Sequence, residues 1–381
     1  MAMNWWTLFY EVEVPRRQIS ADYRWRHNLR RAREGFAFPN IMIRPMAGFA
    51  AIEWEPMDLP SCGVRFLQGG TATLDADSVQ QAAAGLVRTV IERLDNEGVV
   101  DTPLKHEWDA IEAADKEEAM FCQTAGTLGL DPYSMNDAQS EEIFQVVGML
   151  PVSLTGDFFA IAEVVHLRTQ AQDLAQRLQS IVSTTFELGV LRDLKRGFQP
   201  IDPFCAPWQE GYRLARQLRQ TLGLDGKLAG SLSGFWELLG LPLQILDSAV
   251  VTGGAEQPVG GPLQGYFDAL LAYNTAGSPG FMIKKQHETS QLFALGRSLF
   301  EYLTGTEGEP VLVSSAVTQR QKRNRAFAAE FLAPAELLNK RLPGSVIDVA
   351  DVQELADHFK VSAYVIAHQL ENHNLARVVA F

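Results

Sequence analysis

Residues 293–303 read Phe-Ala-Leu-Gly-Arg-Ser-Leu-Phe-Glu-Tyr-Leu, and no other stretch constrains the fold so tightly. The large apolar residues Phe293, Leu295, Leu299, Phe300, Tyr302 and Leu303 recur at spacings of three, four and seven. That is the pattern of a helix with a broad buried face. No proline interrupts it, and Ala294 and Leu295 are good helix formers. On composition alone the stretch is a core helix.

The same stretch resembles the active-site helix of the ImmA/IrrE family of zinc metallopeptidases, which runs roughly Phe-Thr-Leu-Ala-His-Glu-Leu-Gly-His. Phe293 and Leu295 fall on the family's apolar positions. Further blocks follow in the family's order. Residues 211–224, Gly-Tyr-Arg-Leu-Ala-Arg-Gln-Leu-Arg-Gln-Thr-Leu-Gly-Leu, are similar to its opening helix. Residues 232–245, with Leu239-Gly240-Leu241-Pro242-Leu243, are like its second helix entering the first strand. Residues 269–274 are like the strand before the active-site helix. The block from Phe327 to Pro334, Phe-Ala-Ala-Glu-Phe-Leu-Ala-Pro, matches the family's Phe-Ala-Ala-Glu-Leu-Leu-Met-Pro. Residues 355–370, with Phe359-Lys360-Val361-Ser362, resemble its closing helix pair. Residues 122–133 are similar to a segment of the longer members.

The resemblance implies a zinc site, and the chain departs from it wherever the chemistry resides. Arg297 and Ser298 fall on the His-Glu pair, Glu301 on the second His, and Gln321 on the third ligand, a Glu. A guanidinium has no lone pair to offer a metal, and a serine cannot serve as the carboxylate base. A neutral amide is a poor zinc ligand beside a carboxylate. The residue four after His287 is Gln291, so His287-Glu288 starts no HExxH motif either. Among His358, His368 and His373, the last two are five apart and fall on different helix faces.

The resemblance therefore implies a pseudo-peptidase with no catalytic residues, no metal and no cofactor, in which Arg297, Ser298, Glu301 and Gln321 are vestigial positions. The expected role is recognition of a protein partner or peptide, bound as an added strand on an exposed sheet edge. By analogy with the family it is a regulatory, phage-defence or mobile-element-control component of the cytoplasm. Arg297 is expected to point into the former metal cavity and pair with a carboxylate, Glu301 first, because i and i+4 share a helix face. The rival hydrolase reading uses rearranged ligands, Glu301 with His287 or Glu288.

The rest of the chain bounds the reading. Its 381 residues suggest two or three domains. The expected fold class is α+β, with a β-rich domain over 1–103, a helical linker domain over 104–196 and a zincin-like domain over 197–381, where a small sheet packs on helices. The Pro- and Gly-rich stretch 197–207 marks the last boundary. A net charge of -13 argues against a wholesale polyanion binder. Cys62, Cys122 and Cys205 form no metal or redox motif, as in a reducing compartment. No signal pattern and no membrane-length apolar run is present.

Strands are expected over 5–14, 41–43, 49–54 and 64–67, and a helix over 75–96 whose buried face includes Val79, Ala83, Leu86, Val87 and Val90. Helices are also expected over 104–121, 141–150 and 157–188. Between the first strands lies a basic segment, with Arg16, Arg17, Arg24, Arg26, Arg30, Arg31 and Arg33 interleaved with Tyr23, Trp25 and His27. Arginines among aromatics can grip a phosphate backbone and stack on bases. They can equally pair with the surplus carboxylates. The candidate nucleic-acid or partner surface is Arg24, Trp25, Arg26, Arg30 and Arg31.

Overall fold

The computed structural model describes residues 2–15, 21–32, 37–59, 63–182, 189–198, 205–239, 267–285 and 287–379. They form a mixed α+β structure, predominantly helical, with small antiparallel sheets. The chain divides into two compact units, Met1–Ala171 with Ser315–Gln319, and Gln172–Ser314 with Arg320–Phe381.

The first unit opens with a helix, α1 (Trp5–Tyr10), where β-forming residues predict a strand. Packing overrides propensity here. Trp5, Trp6, Thr7, Leu8 and Phe9 are all buried, whereas a strand of this sequence on a one-sided sheet would expose half of them. Trp5 meets Phe9, one turn on, edge to face at 4.6 Å, and Trp108 at 5.0 Å. After α2 (Ala21–His27) come β1 (Asn40–Pro45), β2 (Phe49–Glu55), the hairpin β3 (Met57–Leu59) and β4 (Val64–Phe66), and β5 (Gly70–Asp75). Strands β1, β2 and β5 form one antiparallel sheet in that order.

Helix α3 (Ala76–Asn96) starts where Asp75 accepts a hydrogen bond from the Ser78 amide at 3.0 Å, and Gly98 follows its end at φ +80°. It buries Val79, Ala83, Ala84 and Val87, but Leu86 and Val90 face solvent, against the expected inward face. The helix expected over 104–121 is two helices, α4 (Pro103–Ala113) and α5 (Lys116–Thr127). Asp115 breaks it by accepting from the Glu117 and Glu118 amides, both at 2.9 Å. Helix α6 (Asp137–Met149) follows. The helix expected over 157–188 is likewise divided into α7 (Val152–Ile161) and α8 (Leu167–Val182), with extended backbone at Ala162 and Glu163 between them. Residues 183–188 lie outside the described residues.

In the second unit, α9 (Gly189–Arg196), α10 (Pro207–Thr221) and α11 (Leu232–Leu238) precede β6 (Ala269–Tyr273) and β7 (Pro279–Ile283). Then come α12 (Glu288–Thr304), β8 (Val311–Val313), α13 (Gln319–Leu332), α14 (Ala335–Arg341) and β9 (Val346–Ile347). The closing pair is α15 (Val349–Phe359) and α16 (Ala363–Asn372), followed by β10 (Arg377–Val378), which pairs with β9 in parallel. The sheet is antiparallel in the order β7-β6-β8. All ten residues of β6 and β7 are buried, so the sheet is covered on both faces.

The apolar helix that dominates the sequence is α12, and every residue from Ala294 to Leu303 on it is buried. Two glycines set how closely its neighbours approach. A Cβ on Gly296 would meet the Ala328 Cβ at 3.2 Å, which seats α12 against α13. A Cβ on Gly211 would meet the Arg323 carbonyl oxygen at 2.5 Å, so only glycine lets α10 lie on α13. The segment 240–266, including the Leu241-Pro242-Leu243 expected to enter a strand, lies outside the described residues, as does most of the 197–207 boundary.

Candidate functional site

Helices α12 and α13 pack at Gly296 and Ala328, and each contributes residues one turn apart. Arg297 and Glu301 come from α12; Gln321 and Asn324 come from α13. Asp268 stands just before β6, and Ser314 just after β8. All six are buried, Gln321 and Asn324 completely.

Arg297 is the hub. Its Nη1 donates to Asp268 Oδ2 at 2.7 Å and its Nε to Asn324 Oδ1 at 2.8 Å. Its Nη2 donates to the Ser314 carbonyl and to Gln321 Oε1, each at 2.6 Å. The second Asp268 oxygen takes the Lys285 ammonium. Gln321 is itself held, accepting from the Ser314 amide at 3.2 Å and donating to the Leu312 carbonyl at 3.0 Å. One cation thus ties two helices to two strand ends.

Arg297 and Glu301, the pair expected first, share Asn324. Asn324 stands between the two, receiving from Arg297 through Oδ1 and donating to Glu301 Oε1 through Nδ2 at 2.6 Å. Neighbours on one helix face project side by side, while Asp268 meets the guanidinium across the gap, where charge-assisted geometry is better. Arg320 Nη1 is 3.7 Å from the other Glu301 oxygen. Ser298 is also fully buried, and its Oγ donates to the Ala294 carbonyl at 2.9 Å.

The donor set does not fit a zinc ion. It holds no imidazole or thiolate, its two carboxylates are engaged, and a guanidinium occupies its middle. Among the described residues no three His, Cys, Asp or Glu side chains are grouped to hold a metal. Nor can Glu301 join His287. Fourteen residues of helix at ~1.5 Å each place them ~21 Å apart, and Glu288 is one residue nearer. His358, His368 and His373 are separated too, each against its own aromatic ring, Phe359, Tyr364 and Tyr212 respectively.

Further along α13 lies a second polar centre that the sequence reading did not foresee. Glu330 is buried at the α13–α14 junction. It accepts from Arg216 Nε at 2.8 Å, Gln369 Nε2 at 3.0 Å and the Ala335 amide at 3.3 Å. His373 Nε2 lies 3.3 Å from Glu330 Oε2. Burial pushes the His373 imidazole below its ordinary range, although the Glu330 charge pulls the other way. Beside this centre opens a groove of about 880 Å³ lined by Arg213, Arg216, Asp225, Glu330 and Glu336 among others. The expected docking edge is different: β7 is wholly buried and β8 nearly so, so the sheet offers no open strand there among the described residues.

In the first unit, Arg24, Trp25, Arg30 and Arg31 face solvent. Arg26 does not join them, because it forks onto Glu11 with bonds of 2.9 and 2.6 Å. Arg16, Arg17 and Arg33 lie outside the described residues.

Set against known proteins, the chain matches no family profile, no curated protein and no solved structure. Asp268 and Asn324 are the site residues missed from sequence. Asn324 carried a signal, since it sits one turn after Gln321; Asp268 carried only its place before an apolar strand.

Proposed function

We propose that the second unit is a metallopeptidase-like scaffold in which a guanidinium stands where the metal would sit, and that it works by recognising a protein or peptide, not by cleaving one. The observation that carries this is Arg297, which stands at a position the ImmA/IrrE resemblance assigns to a ligand, buried and bonded to Gln321 at another such position and to Asp268, Asn324 and Ser314 around it. A scaffold retained around such a hub keeps its shape without its chemistry. The groove beside α10 is the concave surface open to a partner, in place of the covered sheet edge. A regulatory role of the phage-defence or mobile-element type follows from the resemblance alone.

The test is elemental analysis of the purified chain together with cleavage of a broad peptide library, with and without added zinc. The reading predicts no stoichiometric zinc and no cleavage. One tightly bound zinc per chain, or turnover that depends on it, would contradict it and favour the hydrolase reading.

A second reading, nucleic-acid binding, is favoured by the four solvent-facing residues Arg24, Trp25, Arg30 and Arg31. It predicts a mobility shift that weakens steeply with salt. The absence of any shift at low salt would dismiss it.

A further inference from the structure

His27 ends α2, and it is fully buried. Both of its ring nitrogens face oxygen. Nδ1 is 2.9 Å from the Ile43 carbonyl on β1, and Nε2 is 3.2 Å from Glu11 Oε2. A carbonyl can only accept. The Glu11 oxygen can donate only if its carboxyl is protonated, and it is not free to be. Burial would push the Glu11 carboxyl up, but the hydrogen bonds from His27 and Arg26 outweigh it and hold the carboxyl below its usual range. Either neutral tautomer of His27 would therefore point one nitrogen lone pair at an oxygen lone pair. With the imidazole fully buried, that repulsion is costly. Only the imidazolium, with two N–H donors, satisfies both contacts.

We propose that His27 is a buried imidazolium clasp, fastening α2 to the Glu11 segment and to β1, and that loss of its proton loosens the helix that carries Arg24 and Trp25. The titratable and charged groups around it come from each packed element: Glu11, which His27 meets directly, from the segment after α1, and Tyr23 with Arg26 from α2 itself; Glu13, and Arg44 of β1, act on the Tyr23 that stacks on it. The Tyr23 ring stacks on the imidazole at 4.0 Å. Arg26 shares the Glu11 carboxylate, and Arg44 lies 3.5 Å from Glu13 and 3.0 Å from Glu53 of β2. The clasp needs the charge of both partners. The Glu11 contribution is present above the usual carboxylate range and is lost as pH falls through its lowered value.

The experiment is nitrogen NMR of the histidine rings in the full chain at about pH 6 and about pH 9, with His27→Gln used to assign the His27 signals. The clasp predicts that both His27 nitrogens carry protons at the lower pH. It also predicts that Glu11→Gln, which keeps the shape but removes the charge, converts the ring to a neutral tautomer protonated on Nδ1 at the same pH. Faster amide exchange across Ala21–His27 at the higher pH, beyond the intrinsic increase, would support the loosening. A neutral His27 tautomer in the wild-type chain at the lower pH would overturn the proposal, and so would an imidazolium that persists in Glu11→Gln. If His27→Gln fails to fold, assignment through Glu11→Gln leaves the wild-type measurement intact.

Discussion

Helix α13 passes through two buried polar centres that are mirror images in charge. At one end Gln321 and Asn324 help ring a cation, Arg297, with acceptors. Near the other end Glu330 is an anion ringed by the donors Arg216, Gln369 and the Ala335 amide. The cation centre is closed: Arg297 and Asp268 are both nearly inaccessible. The anion centre is open on one side, since the Arg216 side chain is 58% exposed and borders the groove. A guanidinium does not lose its charge at any working pH, so the closed centre suits permanent architecture. The carboxylate's partner Arg216 reaches into solvent. The comparison suggests that the first centre holds the unit together while the second is exposed to whatever enters the groove.

The largest effect expected from breaking the contrast comes from rebuilding a metal shell: Arg297→His, Ser298→Glu, Glu301→His and Gln321→Glu together. The variant removes the hub and buries a new carboxylate at Ser298, a fully enclosed position. Phe300, fully buried and 5.3 Å from Phe327, leaves no room beside it. Thermal melting should show a loss of more than about 5 kcal/mol, or no folding, and peptide assays no cleavage. Efficient cleavage would show a catalytic cleft still in order.

Arg297→Met, which keeps volume and removes charge, comes next. Removing the guanidinium from Asp268 and from its other acceptors, which keep only their secondary donors such as Lys285, should cost about 3–5 kcal/mol in denaturant unfolding. A loss near zero would mean the hub is not structural.

How much of this was legible in advance follows from range. The α12 periodicity is a local signal, and the structure bears it out. The Trp5–Tyr10 helix was not legible, because its aromatics satisfy β propensity as readily as a tight buried turn of helix. A buried arginine at 297 calls for a carboxylate, which Asp268 supplies, whereas the helix pattern alone names Glu301 first. Asp268 is 29 residues away, and nothing in a one-dimensional pattern ranks it above Glu301. Glu330 was noticed only inside a family block; its partners come from three other segments.

Smaller effects sharpen the open centre. Glu330→Gln should cost about 1–3 kcal/mol, because the carboxylate's charged acceptors serve Arg216 and Gln369 at once. Arg216→Ala should cost under about 1 kcal/mol, since half that side chain is already in water. If Arg216→Ala proved the costlier, the groove side would be architectural after all. The smallest effect is on pH dependence. With its range lowered by burial, His373 takes up its proton more readily unfolded than folded, so its contribution to stability falls as pH drops through the ordinary histidine range. His373→Gln should flatten that part of the stability profile, measured by melting across pH.

The central claim, that a guanidinium–carboxylate pair holds the centre of the second unit, is tested most directly by a double-mutant cycle on unfolding with Arg297→Met, Asp268→Asn and both together. The account predicts a coupling of about 2 kcal/mol or more, the double variant being far less damaged than the sum of the singles. Costs that add to within about 0.5 kcal/mol would contradict it.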